Sequence, residues 1–312
     1  MVAYDLGSSR HLAEVGKDGA TTITRPVAVY TPLNHGLVLG EWMGAGVMGE
    51  TAGDQRIDNS LAVIYTSATL TVAMDILEQS TFSVSLTCNQ PKGFLFVQLC
   101  DIAADGAATR ITYGLKNLVH CGPEAHRAIA LVQQGQTVQA TVKMDFCGYC
   151  VPAAHSQSLS LANYYWPLVW CSPADTTLRL DAATATLRAP LVHPRAPVVP
   201  SLDPTPEVAA STLKTVLTPG RVDWLVSYDA VQDTWTCVTN SIGGMFTEGI
   251  FRLDHIDPTL EYNLRRELTL SNRNPLSAHY SITKKTQGHP SALHHGREHD
   301  EHTPLRCGIL VH

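Results

Sequence analysis

The sequence predicts an all-β sandwich, on three observations. Apolar and polar residues alternate with period two through long segments, glycine- and proline-marked turns separate those segments, and helical periodicity is nearly absent. The clearest alternation sets Phe82, Val84, Leu86 and Cys88 against Ser83, Ser85 and Thr87. A second sets Val138, Ala140, Val142, Met144 and Phe146 against Gln139, Thr141, Lys143 and Asp145. Each pattern describes a strand with one face in a core and the other in water.

Taken in order, residues 1–58 read as a lead-in of mixed loops and short strands. Residues 94–99 (Phe-Leu-Phe-Val-Gln-Leu) form a short apolar run suited to a strand buried on both faces. Further strands are expected over residues 111–118, 177–180, 186–190, 222–228, 234–239, 251–255, 264–270 and 279–283. Asp105-Gly106, Gln134-Gly135 and Pro219-Gly220 mark turns between them. Residues 207–217 are the single helix candidate, weakened by β-branched residues. Six prolines between residues 190 and 206 give the composition of an extended connector. The predicted organisation is a lead-in over 1–58, a sandwich domain over 59–286 with that connector inside it, and a histidine-rich, disordered tail over 287–312.

Composition narrows the function classes. With 44% hydrophobic and 16% charged residues the chain is globular rather than disordered. A net charge of -6 and the lack of any Lys/Arg run argue against nucleic acid as a partner. No apolar stretch reaches the ~18 residues of a spanning helix, and residues 1–10 carry no signal-peptide core, so no membrane partner is expected. Eight scattered cysteines, mostly inside apolar segments, read as free, buried thiols in a reducing, cytoplasmic compartment.

The chemical motifs are weak. Gly44-Ala45-Gly46-Val47-Met48-Gly49 has dinucleotide-fingerprint spacing, but turn-forming residues follow where a helix is required, so no cofactor is expected. Cys147-Gly148-Tyr149-Cys150 continues a strand, where residues i and i+3 face opposite ways, so a structural role outweighs thiol exchange. His295, His299 and His302 would bind a metal only adventitiously, because a structural site needs fixed geometry and an outer shell of partners. His155 and His255 read as structural histidines, and Asp101 and Asp105 as caps of a turn. No G-x-S-x-G elbow occurs, so no catalytic residue is assigned.

One run stands apart. Residues 163–173 place Tyr164, Tyr165, Trp166 and Trp170 within seven positions of a chain that is 7% aromatic. Pro167 and Pro173 exclude a continuous helix or a central strand there. The cluster is either the plug of a core or a platform on which a sugar or peptide stacks.

Several segments together resemble one family. They are Gly53-Asp54-Gln55-Arg56, then residues 61–70 (Leu-Ala-Val-Ile-Tyr-Thr-Ser-Ala-Thr-Leu), then residues 99–106 (Leu-Cys-Asp-Ile-Ala-Ala-Asp-Gly). Tyr113-Gly114-Leu115, residues 151–155 (Val-Pro-Ala-Ala-His) and residues 165–170 (Tyr-Trp-Pro-Leu-Val-Trp) complete the series. In this order, from about residue 35 to about residue 284, they resemble the C-terminal domain of X-Pro dipeptidyl-peptidases and CocE/NonD hydrolases, which include cocaine esterase.

The resemblance implies a jelly-roll β-sandwich with a galactose-binding-like fold, packed on an α/β-hydrolase domain that carries a Ser-Asp-His triad. It implies a dipeptidyl-peptidase or acyl-ester hydrolase as the whole enzyme. Three departures accompany it. No segment matches the triad domain, so the chain is expected to be inactive alone. Ala154-His155-Ser156-Gln157-Ser158 stands where the family usually carries two arginines. The histidine-rich tail replaces further strands, which would leave a sheet edge open to homo-oligomer formation. The expected role is a non-catalytic support or wall, with Tyr164, Tyr165, Trp166 and Trp170 as its contact candidates. A stand-alone carbohydrate- or peptide-binding sandwich is the alternative.

Overall fold

The computed structural model describes all residues except 8–9, 16–25, 43–47, 123, 125–126, 193–213, 243–248, 255–258 and 290–312. The chain divides into two compact units. The first comprises Met1–Leu39, Ala52–Val192 and Asn272–Ser277, and the second Gly40–Thr51, His193–Ser271 and Ala278–His312. No helix among the described residues is long and apolar enough to cross a membrane.

In the first unit the lead-in supplies β1 (Val2–Leu6), β2 (Leu12–Glu14), β3 (Val27–Val29) and a short helix, α1 (Arg56–Leu61). The remaining strands are β4 (Val63–Thr66), β5 (Met74–Cys88), β6 (Phe94–Ile102), β7 (Ala108–Asn117), β8 (Val138–Val151), β9 (Ser156–Ala162) and β10 (Leu178–Ala189). They form two antiparallel sheets, one ordered β2-β1-β10-β5-β8 with β3 also on β10, the other ordered β4-β9-β6-β7. This is the all-β sandwich that the alternation predicts.

The core lies between the two sheets. Phe82, Val84 and Leu86 from β5, Val142 and Met144 from β8, and Leu180 and Leu187 from β10 are buried against Leu95, Val97, Leu99, Leu159 and Leu161 from β6 and β9. The opposite face of β5 and β8 is wet, and its hydroxyls pair across strands. Ser83 Oγ lies 3.0 Å from Thr141 Oγ1, and Ser85 Oγ donates to Gln139 Oε1 at 2.7 Å. Such cross-strand pairs fix the register that keeps the apolar set inward.

Three expectations change. Residues 177–180 and 186–190 belong to one strand, β10, whose pairing with β5 is interrupted between Asp181 and Thr186. There the Asp181 carboxylate accepts from Ala183 N at 3.1 Å and its carbonyl from Thr184 Oγ1 at 2.9 Å. These local bonds form a bulge that the turn-like composition disguises as a break. Lys214 to Leu217 of the helix candidate lie in β11 (Lys214–Pro219), where β-branched Thr215 and Val216 fit a pleated surface better than a helix. The rest of that candidate lies outside the described residues, as does most of the proline-rich connector. Asp101 is not at a turn but inside β6, whereas Asp105 does cap one, accepting from Ala107 N at 3.0 Å.

The second unit is a further antiparallel sheet. Beside β11 it contains β12 (Arg221–Asp229), β13 (Thr234–Ile242), β14 (Gly249–Leu253), β15 (Thr259–Ser271) and β16 (His279–His289). The order is β11-β14-β15-β13-β12, with β16 along the other side of β15. Val222, Cys237, Thr239 and Leu270 are buried on one face, where the Arg266 guanidinium makes a bidentate pair with Glu41. All seven described cysteines of the chain are unpaired. Burial pushes Cys100 and Cys171 up to about 11 and Cys237 up to about 12, so these thiols stay protonated and inert at neutral pH.

At one side of the sandwich β7 and β8 approach closely enough for Thr112 Oγ1 to donate to the Asp145 carbonyl at 2.7 Å. Gly114 permits the approach, because a Cβ there would lie 2.5 Å from Lys143 O and 2.9 Å from Met144 Cα. Gly114→Ala is expected to destabilise the protein by about 2–3 kcal/mol through overpacking against backbone. Urea unfolding checks this, with Gly148→Ala as the control, since its added methyl meets only Leu77 Cδ1 at 3.5 Å.

Candidate functional site

The outer face of the β4-β9-β6-β7 sheet is covered as well. Phe96 and Ala162 project from it into a second small core with Leu39 and Tyr165. Residues 163–171, which follow β9, fold back over this face. The Tyr165 ring stacks on Phe96, centroids 3.7 Å apart and planes at 16°, with Tyr113 and His35 at the rim. Tyr164, Tyr165 and Trp166 are 1–2% exposed, while Trp170 is 42% exposed. The structure therefore gathers three of the four predicted contact residues into the interior and presents the fourth to solvent.

A buried loop must bring its own hydrogen-bond partners. Asn163, fully buried, provides most of them. Its Oδ1 accepts from Thr31 N and Oγ1 at 2.8 and 2.7 Å, and its Nδ2 donates to Thr176 O and Oγ1 at 2.6 and 2.8 Å. One amide thereby ties three chain segments. The Tyr164 hydroxyl accepts from Thr176 N at 3.0 Å and donates to Ala174 O at 3.3 Å.

Beneath Tyr165 lies a buried polar network. The Asp58 carboxylate, on α1, accepts from the backbone N–H groups of Gly36, Leu37 and Val38 at 3.0–3.2 Å. Gln55 Nε2 donates to Val38 O and Gly53 O, and its Oε1 accepts from Gln98 Nε2 at 3.1 Å. Arg110 Nη1 reaches both Leu39 O at 2.7 Å and the Tyr165 hydroxyl at 3.1 Å. Burial raises the Tyr165 hydroxyl well above the ordinary phenol range, which keeps it neutral. Glycine is needed at position 36 for two reasons: its φ is +114°, and a Cβ there would lie 2.6 Å from Trp166 O.

His35 closes this arrangement. Its Nδ1 lies 2.7 Å from the Tyr164 carbonyl, which can only accept, so Nδ1 carries the proton. Its own carbonyl accepts from Trp166 N at 2.6 Å. Burial lowers its pKa from 6.5, against the opposing pull of the Asp58 charge.

A second cluster surrounds Asp101. The Tyr149 hydroxyl donates to Asp101 Oδ2 at 2.9 Å, and His155 Nδ1 lies 2.8 Å from Asp101 Oδ1. Burial and the adjacent carboxylate push Tyr149 up to about 12. Among the described residues no hydroxyl or thiol is hydrogen-bonded to His155 Nε2, so this Asp–His pair lacks a nucleophile. Its geometry is that of a structural bridge between β6, β8 and the turn before β9. Cys147 donates to Glu78 O at 3.7 Å and Cys150 is exposed, both in strand β8. His255, His295, His299, His302 and residues 43–47 of the glycine loop lie outside the described residues. Among the described ones no group of three or more His, Cys, Asp or Glu side chains could hold a metal ion.

Sequence inspection missed Asn163, Asp58, Gln98, His35 and Arg110 as a set, because each is an isolated polar residue until the fold assembles them. Two outcomes test the arrangement. Asn163→Ala strands Thr31 N and Thr176 O without partners and is expected to cost about 3 kcal/mol in chemical unfolding. Because His35 is held neutral, its contribution to stability is complete above pH 6.5 and is lost as pH falls through the lowered folded-state pKa. Unfolding free energy measured from pH 7 to pH 5 should therefore fall more steeply in the wild type than in His35→Gln.

The model of the X-Pro dipeptidyl-peptidase C-terminal non-catalytic domain matches residues 9–210. No curated protein matches the chain. Among solved structures, an aminopeptidase from the marine sediment archaeon Thaumarchaeota archaeon superposes with a TM-score of 0.50 at 9% identity, over 61% of this chain and 36% of that one. An α-amino acid ester hydrolase gives 0.49 at 12% identity, over 61% and 36%. A CocE/NonD family hydrolase from Staphylococcus aureus gives 0.43 at 8% identity, over 62% and 37%. The chain thus spans little more than a third of each of these proteins, and the likeness to the aminopeptidase is one of fold. With more than half of its length matched by the family model, the chain belongs to the X-Pro dipeptidyl-peptidase C-terminal non-catalytic domain family.

Proposed function

We propose that the first unit is a supporting sandwich for an α/β-hydrolase catalytic domain, and that any dipeptidyl-peptidase or acyl-ester hydrolase activity resides in that partner. The observation that carries this reading is the match to a domain described as non-catalytic and C-terminal. It agrees with the Asp101–His155 pair, which has no nucleophile bonded to it. Serine acyl transfer needs nucleophile, base and oxyanion donors converging on one point. The covered sheet face makes the 163–171 segment a rigid surface element, and exposed Trp170 is its contact residue, an aromatic suited to an interface. The seven described cysteines, all unpaired, support a cytoplasmic location.

Purified chain incubated with X-Pro anilides and short acyl esters is expected to give no turnover above the uncatalysed rate. Hydrolysis that co-purifies with the chain and survives removal of contaminants would overturn the proposal.

A further inference from the structure

The outer face of the first unit's larger sheet changes character along its strands. Over much of its length it carries paired hydroxyls, such as Ser83 with Thr141. At the end where β5 begins, the same face is apolar. Leu77 N donates to Pro190 O at 3.1 Å and Val192 N to Asp75 O at 3.0 Å, so the chain just after β10 prolongs the sheet. Leu77 thereby lies between Pro190 and its register partner Gly148, with Phe146 one step along β8 and Val192 one step beyond Pro190. Met1, which precedes the Val2–Ala189 pair, stands beside Pro190.

Four of these side chains are large and open to solvent. Phe146 is 76% exposed, Met1 74%, Leu77 50% and Val192 44%. Single exposed apolar residues need no explanation, but a contiguous group marks a surface that another molecule covers. The residues that alternate with them, Ile76, Val151 and Leu191, already serve the sandwich core. The patch is therefore a second apolar face of these strands and not the core face slipped outward.

The charges around the patch say what covers it. Asp75 stands at one end, beyond Leu77, while Arg188 and Lys143 stand at the other, both in register with Thr81. The Asp75 carboxylate accepts from the Cys150 thiol and keeps lone pairs for a further donor. Two other acids are near. Glu78 alternates with Leu77, in register with Cys147, which packs against the core. Asp5, one row beyond Arg188, accepts from Thr186 Oγ1 at 3.3 Å. A partner surface of one sign would be repelled at one end of the patch. An apolar centre with an acid at one end and bases at the other instead complements itself after half a turn. We propose that this patch is the interface of a two-fold homodimer, covered by the same patch of a second copy. The axis runs across the strands near Phe146, so that the two Phe146 rings meet and Asp75 of each copy faces Arg188 and Lys143 of the other. All these residues belong to the first unit, and the proposal does not depend on the catalytic-partner reading.

The experiment is analytical ultracentrifugation of the full chain up to ~100 μM, enough to populate a dimer of micromolar Kd. The wild type is expected to sediment as a dimer. The Leu77→Ser, Phe146→Ser double variant should associate at least ~tenfold more weakly, since each copy loses two large apolar contacts. Both side chains are exposed, and an unchanged far-ultraviolet circular dichroism spectrum checks that the variant is folded. Charge reversal then tests the two-fold arrangement. Asp75→Lys alone, and Lys143→Glu with Arg188→Glu, should each weaken self-association. An equimolar mixture of those two variants should form a heterodimer, because opposite signs meet again at both ends of the patch. A monomeric wild type would overturn the proposal and leave the patch to a different protein. Undiminished dimer in the folded serine variant, or a charge-reversed mixture that stays monomeric, would overturn it as well.

Discussion

The first unit depends on a constraint at β6. This strand is buried on both faces, so its sheet needs a cover on the side away from the sandwich core. A helix laid on a sheet satisfies its own backbone; a loop does not. The cover here is largely loop, residues 163–171 with residues 35–39, and each of its polar groups requires a partner inside the protein. The dense placement of Asn163, Asp58, Gln55, Gln98 and Arg110 follows from that requirement. The Tyr165–Phe96 stack supplies the apolar contact, and the network makes it affordable to bury the chain that delivers it.

Seen this way, the aromatic run is neither a bare plug nor an open platform. Three of its rings hold the cover down and Trp170 marks where the cover ends. The rigid part and the exposed part are therefore the same short segment, and its position is set from beneath by hydrogen bonds. Beyond the family match, β11 to β16 have another chemical character. There rows of arginine, asparagine, lysine and threonine, not a covered aromatic set, line the sheet face.

Much of the fold was legible in the sequence because one-sided burial leaves a period of two. Phe82 to Cys88 and Val138 to Met144 announce β5 and β8, and the unbroken run at Phe94 announces the doubly buried β6. The same logic hides β9. Ser158 and Ser160 alternate with Leu159 and Leu161 as if they faced water, yet they are buried, with Cys100 lying beside both Ser158 and Asn59 of α1. Polarity alone cannot separate a wet face from a covered one. Asp101 was opaque for a related reason: next to Asp105-Gly106 it reads as a turn residue, and only the pairing of β6 with β9 and the crossing of β8 bring His155 and Tyr149 to it.

The Asn163 clamp also has a kinetic consequence. Thr31 and Asn163 are 132 residues apart in sequence, while Asn163 and Thr176 are separated by only 13. The near half of the clamp can form as soon as the β9 to β10 turn closes. The far half waits until a loop of more than a hundred residues has been drawn together, and contacts of such separation make folding slow. Until β3 pairs with β10 and brings Thr31 beside Asn163, only the near half of the clamp is in place, and the same event seats Val29 in the sandwich core.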